Sequence, residues 1–226
     1  MISLVYIPTI VVVLFLVTIP NRHHKTVPTP PNYSENRAIT IQTKSIYQED
    51  DYIAIKSFIK KKFKKINESD ANAISKYLIE FGKKNQLDPK FTAAVIARES
   101  AFDKNAVSRT GAKGLGQIKD FNYHSLQISD PFNIKQNISG TSEYLRRMIN
   151  KWETQSKVAE SATPNHIVTP KNQQDKVKLS LASYFKGFTQ INRDNGELDE
   201  KTNQYINDIL NYYDEIRQHS NTDLVK

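Results

Sequence analysis

The chain contains no cysteine among its 226 residues, so it has no disulfide framework, no thiolate zinc site, no catalytic thiol and no cysteine for lipid attachment. Exported proteins can also lack cysteine, so this absence does not choose a compartment. Only seven glycines and nine prolines are present, which excludes collagen-like, elastic and low-complexity architectures. Sustained period-two alternation is missing too, so nothing signals a strand-built body. The histidines (His23, His24, His124, His166 and His219) are scattered, with no pair at ligand spacing on a predicted body helix. No metal is assigned, and no cofactor is expected.

Positive charge is in excess, at a net +8, and it is unevenly spread. Residues 1–65 carry ten Lys/Arg and four Asp/Glu, whereas residues 66–226 carry twenty-two and twenty. A nucleic-acid reader concentrates positive charge on its folded body. Here the charge lies on the approach to the body, so nucleic acid is not an expected partner.

Ile2 to Ile19 runs for eighteen residues without a charge. As a helix it would span about 27 Å, close to a hydrocarbon core of about 30 Å. Residues 1–20 are therefore expected to meet membrane, as an uncleaved anchor or as a signal segment. Leu16 to Asn21 offers no convincing pair of small residues for cleavage, which favours the anchor. Arg22 and Lys25 follow the segment and nothing basic precedes it, so charge bias alone would hold the body inside the cell.

Residues 21–50 are rich in Pro, Asn, Thr and Ser and are expected to be a linker. Residues 51–66 place Ile55, Phe58, Ile59 and Phe63 among six lysines, the pattern of a basic amphipathic helix. Such a helix either presses on anionic lipid or wall polymer, or packs its apolar side on the body, and packing is the favoured reading. From Asn67 onward the apolar spacing is helical. Ile74, Tyr77, Leu78 and Phe81 form one stripe, and Asp88-Pro89 opens a helix through about Ala101. Tyr144 to Trp152, Leu181 to Phe188 and Tyr205 to Tyr213 carry further stripes. These predict one mostly-α domain over 67–217, a surface loop over Thr154–Lys176 and a tail over 218–226.

Glu99 is out of place for a solvated carboxylate. At about 100° per residue, Phe91, Val95, Phe102 and Ile96 cover an arc of about 140°, and Glu99 projects into its middle. It also sits in the last turn, where the helix dipole disfavours an anion. Desolvation and dipole both act to raise its pKa. A glutamic acid kept protonated near neutral pH suits general-acid chemistry on a glycoside; the alternative is a buried Glu paired with Arg or Lys. Gly111, Gly114 and Gly116 follow within a short stretch, where the backbone turns tightly and can approach a ligand.

Glu99-Ser100, the run Ser108-x-x-Gly111-Ala112-x-Gly114-Leu115-x-Gln117, Asp130-Pro131-x-Asn133-Ile134, Gly140 with Tyr144-Leu145, Ala182-Ser183-Tyr184 and Tyr205-Ile206 with Ile209-Leu210 stand in a fixed order. In these motifs the chain resembles the lytic transglycosylase catalytic domain. The resemblance implies a lysozyme-like α fold that cleaves the β-1,4 bond between N-acetylmuramic acid and N-acetylglucosamine in peptidoglycan. It also implies that Glu99 is the single catalytic acid, that Tyr184 hydrogen-bonds and orients it, and that Ser108 and Gln117 line the sugar cleft. Two positions depart from the family pattern: Phe185 stands where Asn is usual, and Gly116 where Met is common, which removes an apolar wall of the cleft. Rival readings are a hydrolase resembling goose-type lysozyme and a non-catalytic wall-binding assembly protein. Peptidoglycan as substrate places the body in the periplasm, or otherwise outside the cytoplasmic membrane, anchored by its N-terminus or secreted after cleavage.

Overall fold

The computed structural model describes residues 49–161 and 167–222, so the apolar segment, the linker up to residue 48 and the end of the tail lie outside the described residues. Among the described residues seven α-helices carry the fold: α1 (Glu49–Lys62), α2 (Glu68–Asn85), α3 (Pro89–Ser100), α4 (Ile134–Ser161), α5 (Gln173–Lys186), α6 (Phe188–Arg193) and α7 (Glu200–Thr222). Two 3₁₀ turns, Asp120–Asn122 and His124–Leu126, lie in the long connection between α3 and α4. Among the described residues there is no strand, only isolated bridges from Lys113 to Val107 and Ile118. None of the described helices is long and apolar enough to cross a membrane.

The helix starts follow local chemistry. Asn67 caps α2 by accepting from the Asp70 amide at 2.8 Å. Asp88 caps α3 by accepting from the Lys90 amide at 2.8 Å, with Pro89 at the first helical position, where its missing N–H costs nothing. Every residue of α3 from Phe91 to Ala97 is buried. That helix is wrapped by α1, α2, α4 and α7 rather than lying amphipathically at the surface.

Helix α7 clasps α3 along its length in antiparallel register. At the start of α3, the Tyr213 hydroxyl donates to Asp88 Oδ2 at 2.6 Å. Toward the end of α3, Arg98 Nε donates to Asp208 Oδ2 at 2.8 Å, and the Tyr205 hydroxyl donates to Glu99 at 2.6 Å. Ile206, Ile209 and Leu210 fill the space between with apolar contact.

Helix α1 packs its apolar side on the body, the favoured reading, burying Ala54, Ile55, Phe58 and Ile59 against α2, α3 and α7. Two boundaries differ from the sequence reading. The segment expected to loop over Thr154–Lys176 is helical at both ends, because α4 continues to Ser161 and α5 begins at Gln173. Polar residues extend α4 while staying bonded: Ser156 Oγ donates back to the Trp152 carbonyl at 2.9 Å, and Gln155 pairs with Asn192 at 2.8 Å. Asn172 caps α5 through the Asp175 amide at 2.8 Å, so that helix starts before Lys176. The tail expected from residue 218 continues α7 to Thr222, with the His219 ring 6.3 Å from the Phe58 ring.

Candidate active site

Glu99 occupies the last turn of α3, and the chain leaves that helix abruptly. Ala101 and Phe102 both take the left-handed conformation, with φ of 51° and 62°. For residues with a Cβ this costs roughly 1–2 kcal/mol each. Burial of the Phe102 ring holds the turn in place, with centroids 5.2 Å from Phe63 and 6.3 Å from Phe58.

The glycine-rich stretch then folds back on itself. Ser108 N donates to the Ala112 carbonyl at 2.9 Å, and Lys113 and Ile118 exchange bonds at 3.0 and 3.1 Å. At Gly114, where φ is 75°, an added Cβ would lie 2.2 Å from the Pro131 carbonyl oxygen. At Gly116 it would lie 1.9 Å from Thr141 Oγ1, so Thr141 already fills the volume that a side chain at 116 would take. Asn137 ties this turn to α4 by accepting from the Gly116 amide at 2.8 Å.

Glu99, Ser108 and Gln117 share one open cleft of about 600 Å³, lined also by Phe63, Asp208 and Tyr212. The polar atoms of Ser108 and Gln117 hold the cleft wall together. Ser108 Oγ accepts from the Ala112 amide at 3.0 Å, and Gln117 Nε2 donates to the carbonyls of Gly114 and Ala106 at 2.9 and 3.1 Å. Gln117 itself takes a φ of 50°, which aims its amide back into the loop.

The carboxyl of Glu99 is held at a pKa of about 7, raised by burial against the opposing pull of the Tyr205 hydroxyl and the Arg98 charge. At neutral pH a large fraction therefore carries a proton. Tyr205 donates to Oε1, and Oε2 makes no hydrogen bond among the described residues. The Tyr205 ring is itself fixed: Phe185 stacks on it at 4.4 Å and 14°, and the Arg98 guanidinium lies 5.4 Å from its centroid. Arg98 in turn is held by Asp208. Phe185, the departure from the family pattern, thus packs on the tyrosine that hydrogen-bonds Glu99.

Tyr184, expected to hydrogen-bond Glu99, instead donates to the Gly116 carbonyl at 2.7 Å. The tyrosine on Glu99 is Tyr205. Tyr184 still lies close enough for the Glu99 charge to help raise its hydroxyl pKa, after burial as the main cause. Its ring packs edge-on against Tyr144 at 5.1 Å. The sequence carried one usable sign of Tyr205. A buried tyrosine needs a partner for its hydroxyl, and the stripe that reads as pure core contains two, Tyr205 and Tyr213.

Among the described residues, no group of three or more His, Asp or Glu side chains is placed to hold a metal ion. The sequence profile of the transglycosylase SLT domain matches residues 76–207. Membrane-bound lytic murein transglycosylase F of Actinobacillus succinogenes is 30% identical over 142 residues, which is 61% of this chain and 24% of that protein. The protein of the same name from Cronobacter sakazakii is 30% identical over 105 residues, 46% of this chain and 17% of its own length. The X-ray structure of an inactive mutant of lytic transglycosylase Slt from Pseudomonas aeruginosa aligns with a TM-score of 0.49 and 19% identity, covering 64% of this chain and 24% of that one. The chain thus spans a quarter or less of the length of these relatives.

Proposed function

Because the chain belongs to the SLT family of transglycosylase domains, we propose that it is a lytic transglycosylase acting on peptidoglycan glycan strands. The observation that carries this reading is Glu99, a carboxyl with a pKa of about 7 on the wall of an open cleft, with one oxygen engaged and the other without a hydrogen bond among the described residues.

In this reading the protonated Glu99 donates to the glycosidic oxygen as the bond from C1 of N-acetylmuramic acid breaks. The C6 hydroxyl of the same sugar then attacks C1, and the Glu99 carboxylate takes the hydroxyl proton. The product is a 1,6-anhydro ring, no water is consumed, and the acid is regenerated. One group serves as acid and then base because its pKa lies near the working pH. Assistance from the substrate's N-acetyl group makes a second carboxylate unnecessary, as in the exceptions to the two-carboxylate scheme. Tyr205 keeps Glu99 oriented through Oε1, and Ser108 and Gln117 keep the wall beside it in shape.

Mass analysis of fragments released from purified peptidoglycan tests the reaction. Anhydro products are expected. Products heavier by one water would replace this reading with hydrolysis, and the absence of any fragment would leave a wall-binding protein.

We further propose that residues 1–20 anchor the chain in the cytoplasmic membrane with the domain outside, where its substrate lies. Long domains translocate despite a basic flank such as Arg22 and Lys25. Protease added to intact spheroplasts is expected to digest the domain; protection until lysis would reverse the orientation.

A further inference from the structure

The cleft has a wall that the family match does not cover. Phe63, which lines it, lies outside residues 76–207, in the turn that leaves α1. Its ring is fixed by edge contacts with Phe58, Phe102 and Tyr212 at 5.7, 5.2 and 6.3 Å. Tyr212 lines the same cleft. The chain around Phe63 reads Lys60-Lys61-Lys62-Phe63-Lys64-Lys65, so lysines flank this cleft-lining residue on both sides in the sequence.

These lysines are unequally engaged. Lys62 pairs with Glu215 at 2.6 Å and lies 5.0 Å from the Tyr212 ring, which pins its ammonium beside the cleft. Lys60 donates to the Ile66 carbonyl at 3.1 Å and pairs loosely with Glu68. Lys61, Lys64 and Lys65 are exposed and have no ion pair among the described residues. Arg109, which follows the lining residue Ser108, is likewise exposed and without an ion pair among the described residues. Glu215 is engaged with Lys62, Glu68 with Lys56 and Asp208 with Arg98, whereas Asp103, next to the ring contact Phe102, has no ion pair among the described residues. The exposed lysines beside Phe63 and Arg109 beside Ser108 thus outnumber the carboxylate of Asp103 as charges without an ion pair next to cleft-lining residues.

We propose that Lys61, Lys64 and Lys65 form a subsite for the carboxylates of the peptide stems that hang from the muramic acid residues of a bound glycan strand. This rests on the reading that the cleft binds such strands. The glycan backbone itself offers no charge for these lysines, whereas each stem peptide carries carboxylates. The rim thereby favours strands that still bear peptides over strands stripped of them. Exposed charges act over roughly a Debye length, about 10 Å at 0.1 M salt, so the preference is strongest at low ionic strength.

The test measures binding, so that it does not depend on turnover. The full chain carrying Glu99→Gln is compared with the same chain carrying Lys61→Gln, Lys64→Gln and Lys65→Gln as well. Binding is measured on solubilised strands bearing peptides and on strands whose peptides have been removed by an amidase, both freed of phosphate polymers. The triple change is expected to weaken binding to peptide-bearing strands about tenfold at low salt, to leave stripped strands nearly unaffected, and to lose its effect in about 0.5 M salt. Equal weakening on both strands, or none on either, overturns the subsite. Because all three side chains are exposed, an unchanged melting temperature is expected. Failure of the wild-type chain to release fragments, with the binding preference intact, would count against the transglycosylase reading alone.

Discussion

Replacing Glu99 with glutamine is expected to abolish fragment release from purified peptidoglycan, with a loss of about a thousandfold or more. General-acid catalysis by a positioned side chain contributes typically 10²- to 10⁴-fold, and in the proposed reaction Glu99 supplies both proton transfers. The amide is nearly isosteric and still accepts from the Tyr205 hydroxyl, so the cleft keeps its shape. It has no proton acidic enough to give. Substantial activity in this variant would remove Glu99 from the mechanism.

The same variant is expected to be more stable than the wild type at alkaline pH. Folding raises the Glu99 pKa from an ordinary 4.5 to about 7. Between those values the folded chain keeps a proton that the unfolded chain gives up, so wild-type stability falls as pH rises through this window. Glutamine does not titrate. The two proteins should therefore respond alike to pH below about 4 and separate by about 3 kcal/mol at pH 8, on the order of 10 °C in melting temperature. Melting curves that stay parallel across this range would mean that burial does not hold the proton.

Tyr205→Phe is expected to lower turnover about ten- to a hundredfold while leaving the fold intact. A hydrogen bond to a charged group contributes roughly 1.5–3 kcal/mol, which converts to that range in rate. The Phe185 stack and the Arg98 contact need only the ring, so the phenyl group stays in place. The hydroxyl favours the ionised carboxylate, so its removal raises the Glu99 pKa further. The limb of the pH–rate profile that falls above about 7 should move to higher pH. Tyr184→Phe frees the Gly116 carbonyl and should leave that limb in place, because its hydroxyl does not touch Glu99. Unchanged rate and pH profile in Tyr205→Phe would reduce Tyr205 to packing.

Glu99 stood out in the sequence because its helical angle put a carboxylate among apolar neighbours, and the structure buries that face against α7. The all-α class and the four main apolar stripes were legible for the same reason: periodicity records which side is covered. It does not record by what. Tyr205 looked like core because a stripe says nothing about the partner of a hydroxyl 106 residues away. Which tyrosine meets the acid depends on the antiparallel register of α3 and α7. That register is fixed by the Tyr213–Asp88 and Arg98–Asp208 contacts as much as by the stripe. Gly116 looked like a missing wall because the Thr141 side chain filling its volume comes from another helix. The end of α4 was misjudged because polar residues that bond across to α6 resemble loop composition.

Helix α5 ends with two neighbouring aromatics that reach in different directions. Tyr184 holds the carbonyl of the glycine turn, and Phe185 holds the ring of Tyr205. One helical turn thus braces both the glycine turn beside the cleft residue Gln117 and the ring whose hydroxyl holds Glu99, so a shift of α5 displaces the two together.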